Sequence, residues 1–193
     1  MPAIGIDLIL PPLPHAPCPM TIAIVETLSD SPLNPEEPND TSLRVLDCLA
    51  KRHATWRYSL LSSDRHRMIC TFDAPDAESV RESYRKGGAV FSRIWAGELL
   101  KPEGIQPQRH PSLLVVIEGT YPPIGEEELN EIGSKTLSCY AERGIEWIQS
   151  YLSLDRTRLI CELNAPDAES VREAQYRVGV SFDRVWSATI LKP

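Results

Sequence analysis

WRYSLLSSDRHRMICTFDAPDAESVRESYRKGGAVFSRIWAGELLKP, residues 56–102, returns later in the chain as WIQSYLSLDRTRLICELNAPDAESVREAQYRVGVSFDRVWSATILKP, residues 147–193. The two segments align without a gap, and APDAESVRE is identical in both. Upstream, TIAIVETL from Thr21 matches SLLVVIEGT from Ser112, with a one-residue difference in length before Cys48 and Cys139. A repeat of this length marks a duplicated structural unit. The units run over 20–102 and 112–193, joined by a polar linker at 103–111 (EGIQPQRHP) and preceded by a Pro-rich arm at 1–19.

Each unit reads as βαββαβ. A β-branched run at 22–27, or 113–118, is the first strand. Leu43, Leu46 and Leu49, or Leu129, Ile132 and Leu137, recur near helical spacing. The second strand starts near Trp56 or Trp147, and Asp64-Arg65 or Asp155-Arg156 turns the chain into a third strand at 67–72 or 158–163. Asp76 and Asp167 are placed to cap the second helix, whose Ala77, Val80 and Tyr84 share a face. Gly88 and Gly179 suit its C-terminal stop. A fourth strand carries Trp95 or Trp186. This order is the ferredoxin-like one.

Period-two alternation then divides the strands. Met68, Cys70 and Phe72, with Leu159, Cys161 and Leu163, are expected to meet the helices. The other face would show Ile22, Ile24, Glu26, Trp56, Tyr58, Arg67, Ile69 and Thr71. Its counterpart is Leu114, Val116, Glu118, Trp147, Gln149, Tyr151, Arg158, Ile160 and Glu162. That face is too apolar for water and too polar for a plain core. The expected α+β fold therefore closes two ferredoxin-like units into one intramolecular, pseudo-dimeric α/β barrel.

Bulk properties narrow the function. A net charge of -7 opposes binding to nucleic acid or to anionic membranes. No apolar run is long enough to span a bilayer. Residues 1–19 hold six of the 17 prolines and no Lys or Arg, so a disordered arm or a mis-assigned start is expected there rather than a signal peptide. Five cysteines without CxxC spacing fit a reducing compartment, and the chain is expected to be soluble and cytoplasmic. Glycine-rich phosphate loops, GxSxG elbows and the aromatic motif of RNA-recognition strands are missing from the sequence.

Both units resemble a family of small bacterial proteins known as a domain of unknown function. The resemblance rests on Val25-Glu26, Cys70, Ala74-Pro75-Asp76 and Val80-Arg81-Glu82 in the first unit. In the second it rests on Glu118, Trp147, Ser150, Tyr151, Cys161 and Ala165-Pro166-Asp167. It implies single ferredoxin-like units that dimerise into an α/β barrel, with nickel binding in at least one member. The family's helix histidine is Ser83 in one unit and Ala174 in the other, and its strand-two tyrosine is Leu60 in the first.

The candidate ligand-binding residues are Glu118, Trp147, Tyr151, Arg158, Glu26, Trp56 and Arg67, with the second unit favoured. Three readings stand. One is a binding protein for a small molecule or a metal ion, nickel or another divalent metal, the nickel being implied by the resemblance. The second is an isomerase- or cyclase-type enzyme whose barrel glutamate, raised in pKa by apolar walls, abstracts a proton while arginine holds the oxyanion. The third is a structural or partner-binding pseudo-dimer in which Glu–Arg pairs merely fill the barrel. The chain is expected as a monomer with an internal pseudo-two-fold axis or as a weak homodimer.

Overall fold

The structure, a computed structural model, describes residues 20–37, 39–104 and 106–193. The expectation for the arm at 1–19 lies outside the described residues. The first unit comprises β1 (Thr21–Leu28), α1 (Asp40–Ala50), β2 (Thr55–Ser62), β3 (Arg67–Ala74), α2 (Ala77–Gly87) and β4 (Arg93–Leu100). The second comprises β5 (Leu114–Thr120), α3 (Glu126–Ala141), β6 (Glu146–Ser153), β7 (Arg158–Asn164), α4 (Ala168–Val178) and β8 (Arg184–Leu191).

All eight strands close into one antiparallel barrel in the order β1-β3-β2-β8-β5-β7-β6-β4. Two seams join the units. Ser59–Ser62 of β2 pair with Ala188–Leu191 of β8, and Gly97–Leu100 of β4 pair with Ser150–Ser153 of β6. Closure leaves neither unit an open edge at these strands, which removes the usual route to edge-to-edge aggregation.

Local chemistry sets the element ends. The Asp76 side chain accepts from Ser79 N at 2.6 Å and that of Asp167 from Ser170 N at 2.7 Å, as the capping pattern requires. Gly88 and Gly179 end these helices at φ 80° and 73°, where a side chain would be strained. At the β2–β3 and β6–β7 turns Arg65 N and Arg156 N each bond a serine carbonyl, of Ser62 and Ser153, at 2.8 Å.

Apolar side chains gather in three clusters. One lies between the sheet and α1 and α2, one inside the barrel, and one between the sheet and α3 and α4. Met68, Cys70 and Phe72 face the helices as expected, as do Cys161 and Leu163.

Trp56 and Trp147 do not face the barrel. Both pack in the helix-side clusters, and their indole N–H groups donate to Ser59 and Ser150. The cause is a bulge in each strand: Trp56 pairs with Phe72 and Tyr58 with Thr71, and likewise Trp147 with Leu163 and Gln149 with Glu162. The extra residue breaks the two-residue alternation, so i and i+2 point to opposite faces. The leucine spacing of the first helices also misleads. Leu43, Leu46 and Leu137 are exposed, and the buried faces are Val45 and Leu49 on α1 and Thr136, Cys139 and Tyr140 on α3.

Candidate functional site

The barrel interior is polar toward both ends. At one end Glu26 on β1 and Glu118 on β5 meet Arg67 on β3 and Arg158 on β7, all at most 6 % exposed. The pairing is crossed between the units. Arg67 grips Glu118 through Nε and Nη2, and Arg158 grips Glu26 through Nε at 3.0 Å and Nη2 at 2.7 Å. Arg67 also donates to Glu26 at 2.9 Å, and Arg158 to Glu118.

Trp95 and Trp186, one from the last strand of each unit, complete the cluster, donating to Glu26 at 2.8 Å and Glu118 at 2.7 Å. These, rather than Trp56 and Trp147, are the tryptophans beside the glutamates. Each of the four carboxylate oxygens thus receives two donors. Asp183 closes the outer side of Arg158 at 2.7 Å.

The proton-abstraction reading expected a glutamate of raised pKa. Burial does push Glu26 upward, but the hydrogen bond and charge of Arg158 outweigh it, with help from Trp95 and Arg67. They hold the carboxyl below its ordinary range. A carboxylate so held is a weak base, and Glu26 is corrected from candidate base to ion-pair member.

A second cluster lies toward the end crossed by the linker. Glu162 on β7 is fully buried. One of its oxygens accepts from Tyr58 and from Gln149 Nε2 at 3.0 Å, the other from Arg109 Nε at 2.6 Å. The Tyr58 and Tyr151 hydroxyls are 2.5 Å apart, and Gln149 Nε2 reaches both, at 2.7 and 2.9 Å. The Arg109 guanidinium lies over the Tyr58 ring, 4.5 Å from its centroid, and donates to the hydroxyl at 2.9 Å. Burial and the neighbouring Glu162 charge raise both phenols, so they remain protonated donors.

Of the seven candidates, then, Glu26, Glu118, Arg67 and Arg158 come together, Tyr151 joins the second cluster, and Trp56 and Trp147 lie on the outer face. Tyr58, Gln149 and Glu162 had been placed on the inner face without a role. Arg109 was missed altogether, although a signal existed. Glu162 is an inward carboxylate, and a buried carboxylate needs a partner, which the linker's Arg109 supplies.

Above this second cluster a cavity of about 480 Å³ opens at the barrel mouth. Its walls are Arg109 and Gln149, the apolar Leu114, Ile148 and Ile190, and Lys101 with Lys192, which occupy equivalent places in the two units.

Comparison with known proteins agrees with the repeat. The family model described as nickel responsive protein SCO4226-like matches twice, at residues 24–96 and 116–187. The chain belongs to the SCO4226-like family. The solved structure of SCO4226 from Streptomyces coelicolor A3(2) aligns at 16% identity and a TM-score of 0.36. The match spans 38% of this chain and 93% of that one. A chlorite dismutase variant from Candidatus Nitrospira defluvii aligns over 90% of this chain and 91% of its own, at 10% identity and a TM-score of 0.52, a likeness of fold alone. No curated protein matches the chain.

The family description raises nickel, and the residues of this chain do not fit it. All four oxygens of Glu26 and Glu118 are committed to guanidinium and indole donors. At the family's helix-histidine positions Ser83 bonds the Ser79 carbonyl at 2.8 Å, and Ala174 has no donor to give. Nickel favours nitrogen ligands. His66 instead bonds the Ser29 carbonyl, and His110 bonds Ser112. Among the described residues no group of three or more His, Cys, Asp or Glu is arranged to hold a metal ion.

Proposed function

We propose that this chain is a non-catalytic binding protein that takes a small organic carboxylate at the linker-side mouth of its barrel. The observation that carries this reading is the cavity floored by Gln149 and Arg109 and flanked by Lys101 and Lys192, a cationic mouth on a chain of net charge -7. Ile148, Ile190 and Leu114 offer an apolar wall to the ligand's body. Arg109, held by a single carboxylate, can exchange part of its contact with Glu162 for the incoming anion. The two-fold placement of Lys101 and Lys192 lets a compact anion be met from both sides. The crossed Glu–Arg cluster at the far end has a structural part, holding the two units in register.

A cytoplasmic setting goes with this reading, supported by the free thiols of Cys48, Cys70, Cys139 and Cys161. Among the described residues no helix is long and apolar enough to cross a membrane.

Thermal unfolding and calorimetry with benzoate and salicylate, against nickel chloride as control, test the proposal. Benzoate or salicylate is expected to raise the melting temperature, and Lys192→Ala and Arg109→Ala to weaken that binding. Absence of binding by either acid at millimolar concentration, with Arg109→Ala altering stability alone, would turn the mouth into a plain structural latch. A shift with nickel alone would restore the metal reading.

A further inference from the structure

The second unit keeps open a space that the first unit fills. Between α3 and the outer face of β5, β6 and β7 lies a cavity of about 490 Å³, walled by Ile117, Leu129, Tyr140, Trp147, Leu163 and Gln175. It lies on the opposite side of the sheet from the barrel mouth, since Trp147 and Leu163 point outward where Gln149 points in. A volume of this size suits a small organic ligand.

Differences between the repeats account for the opening. In the first unit α1 leans directly on α2 at Gly87, where an added Cβ would come within 2.9 Å of the Val45 backbone nitrogen. The equivalent of Gly87 is Val178, whose side chain denies α3 the same approach to α4. The Tyr84 ring meets Phe72 and Phe91 edge-on, at 6.1 and 6.0 Å between centroids, and fills the first unit's interior. In the second unit these positions are Gln175, Leu163 and Phe182, which supply less bulk at the first two. The longer α3, 16 residues against 11 in α1, then roofs the space instead of collapsing onto it.

Two polar groups in this wall lack partners. Gln175 is 3 % exposed; its Nε2 donates to the Tyr140 hydroxyl, while its Oε1 has no hydrogen bond. Thr136, 9 % exposed, has an unpartnered hydroxyl. A buried polar atom left unsatisfied is costly, and few occur in native folds. Both belong to residues lining this one cavity. Lys101 apart, the rest of the wall is uncharged at neutral pH, since burial pushes the Cys161 thiol up to about 11 and raises the Tyr140 phenol as well. Lys101 stands exposed at the edge.

We propose that the cavity beneath α3 is a binding site for a neutral, mainly apolar small molecule that carries one hydrogen-bond donor. The donor meets Gln175 Oε1, the Thr136 hydroxyl bonds the same polar group, and the apolar body lies against Trp147, Ile117 and Leu129. A carboxylate would lose its hydration there without a buried cation to replace it. This site stands independently of the barrel mouth.

The test uses the full chain and N-phenyl-1-naphthylamine, a neutral diarylamine probe with a single N–H. Saturable one-to-one binding is expected, with fluorescence enhancement and energy transfer from tryptophan. Gly133 lines the cavity, and a Cβ there meets nothing within 4 Å, so Gly133→Leu can start a side chain into the space without backbone strain at the Cβ. That variant should bind roughly tenfold more weakly or worse while melting no lower than the parent chain. The N-methyl analogue of the probe should bind about fivefold more weakly, one hydrogen bond's worth, and Gln175→Leu should erase that preference. The analogue comparison on the unmodified chain keeps the test decisive if Gly133→Leu fails to fold. Equal binding of the two probes, or unchanged binding by a folded Gly133→Leu, overturns the proposal. So does roughly tenfold tighter probe binding after deletion of residues 1–19, which would make that apolar segment the occupant.

Discussion

At the scale of single residues, the crossed cluster concentrates most of the electrostatic consequence. Removing the charge of one partner in a buried network leaves the remaining charges uncompensated. Glu118→Gln, nearly isosteric, should therefore destabilise the fold by about 3 kcal/mol, read as a lower urea midpoint with an unchanged m-value. Glu26→Gln should act in the same direction, because both carboxylates hold both arginines. The pH dependence follows from Glu26. Its folded-state pKa lies below the ordinary 4.5, so in acid the unfolded chain binds the proton first. The stability it contributes is full above about pH 4.5 and is lost as pH falls from there through the folded value. Urea midpoints measured between pH 7 and pH 3 should show the decline, and a smaller one in Glu26→Gln.

At the scale of elements, one position sets how a helix pair sits. Gly87 lets α1 rest on α2, where Arg44 also donates to the Gly87 carbonyl at 3.2 Å. Gly87→Val, which installs the residue of the second repeat, should force the helices apart. A cost of about 1–3 kcal/mol is expected from overpacking, visible as a lower melting temperature. The ends of α2 and α4 and the β2–β3 and β6–β7 turns were legible because their signals are local: an Asp before a helix, a Gly after it, a two-residue turn. The bulges after Trp56 and Trp147 were not legible. A bulge is defined by the register against β3 or β7, and neither strand's own residues announce it. That is why Tyr58 and Gln149 face inward while the tryptophans two positions earlier in sequence face out.

At the scale of the whole molecule, the units share their interior and their seams. The isolated second unit, residues 112–193, would expose the edges of β6 and β8 together with its inner face. It should recover both by pairing with another copy, so light scattering on that fragment is expected to give the mass of a homodimer. A stable monomer would mean that the barrel interior tolerates water. The sequence by itself determined the duplication, the βαββαβ order, the caps of α2 and α4 and the need for a closed barrel, because repetition, turn chemistry and alternating polarity are written within each unit. It also placed two glutamates and two arginines inside. Only the tertiary structure decided that each arginine grips the other unit's glutamate, that Arg109 leaves the linker to neutralise Glu162, and that Trp147 walls a cavity beneath α3 instead of the barrel. Those outcomes depend on distances between residues tens of positions apart in sequence, fixed by strand register and helix approach, which no single segment encodes.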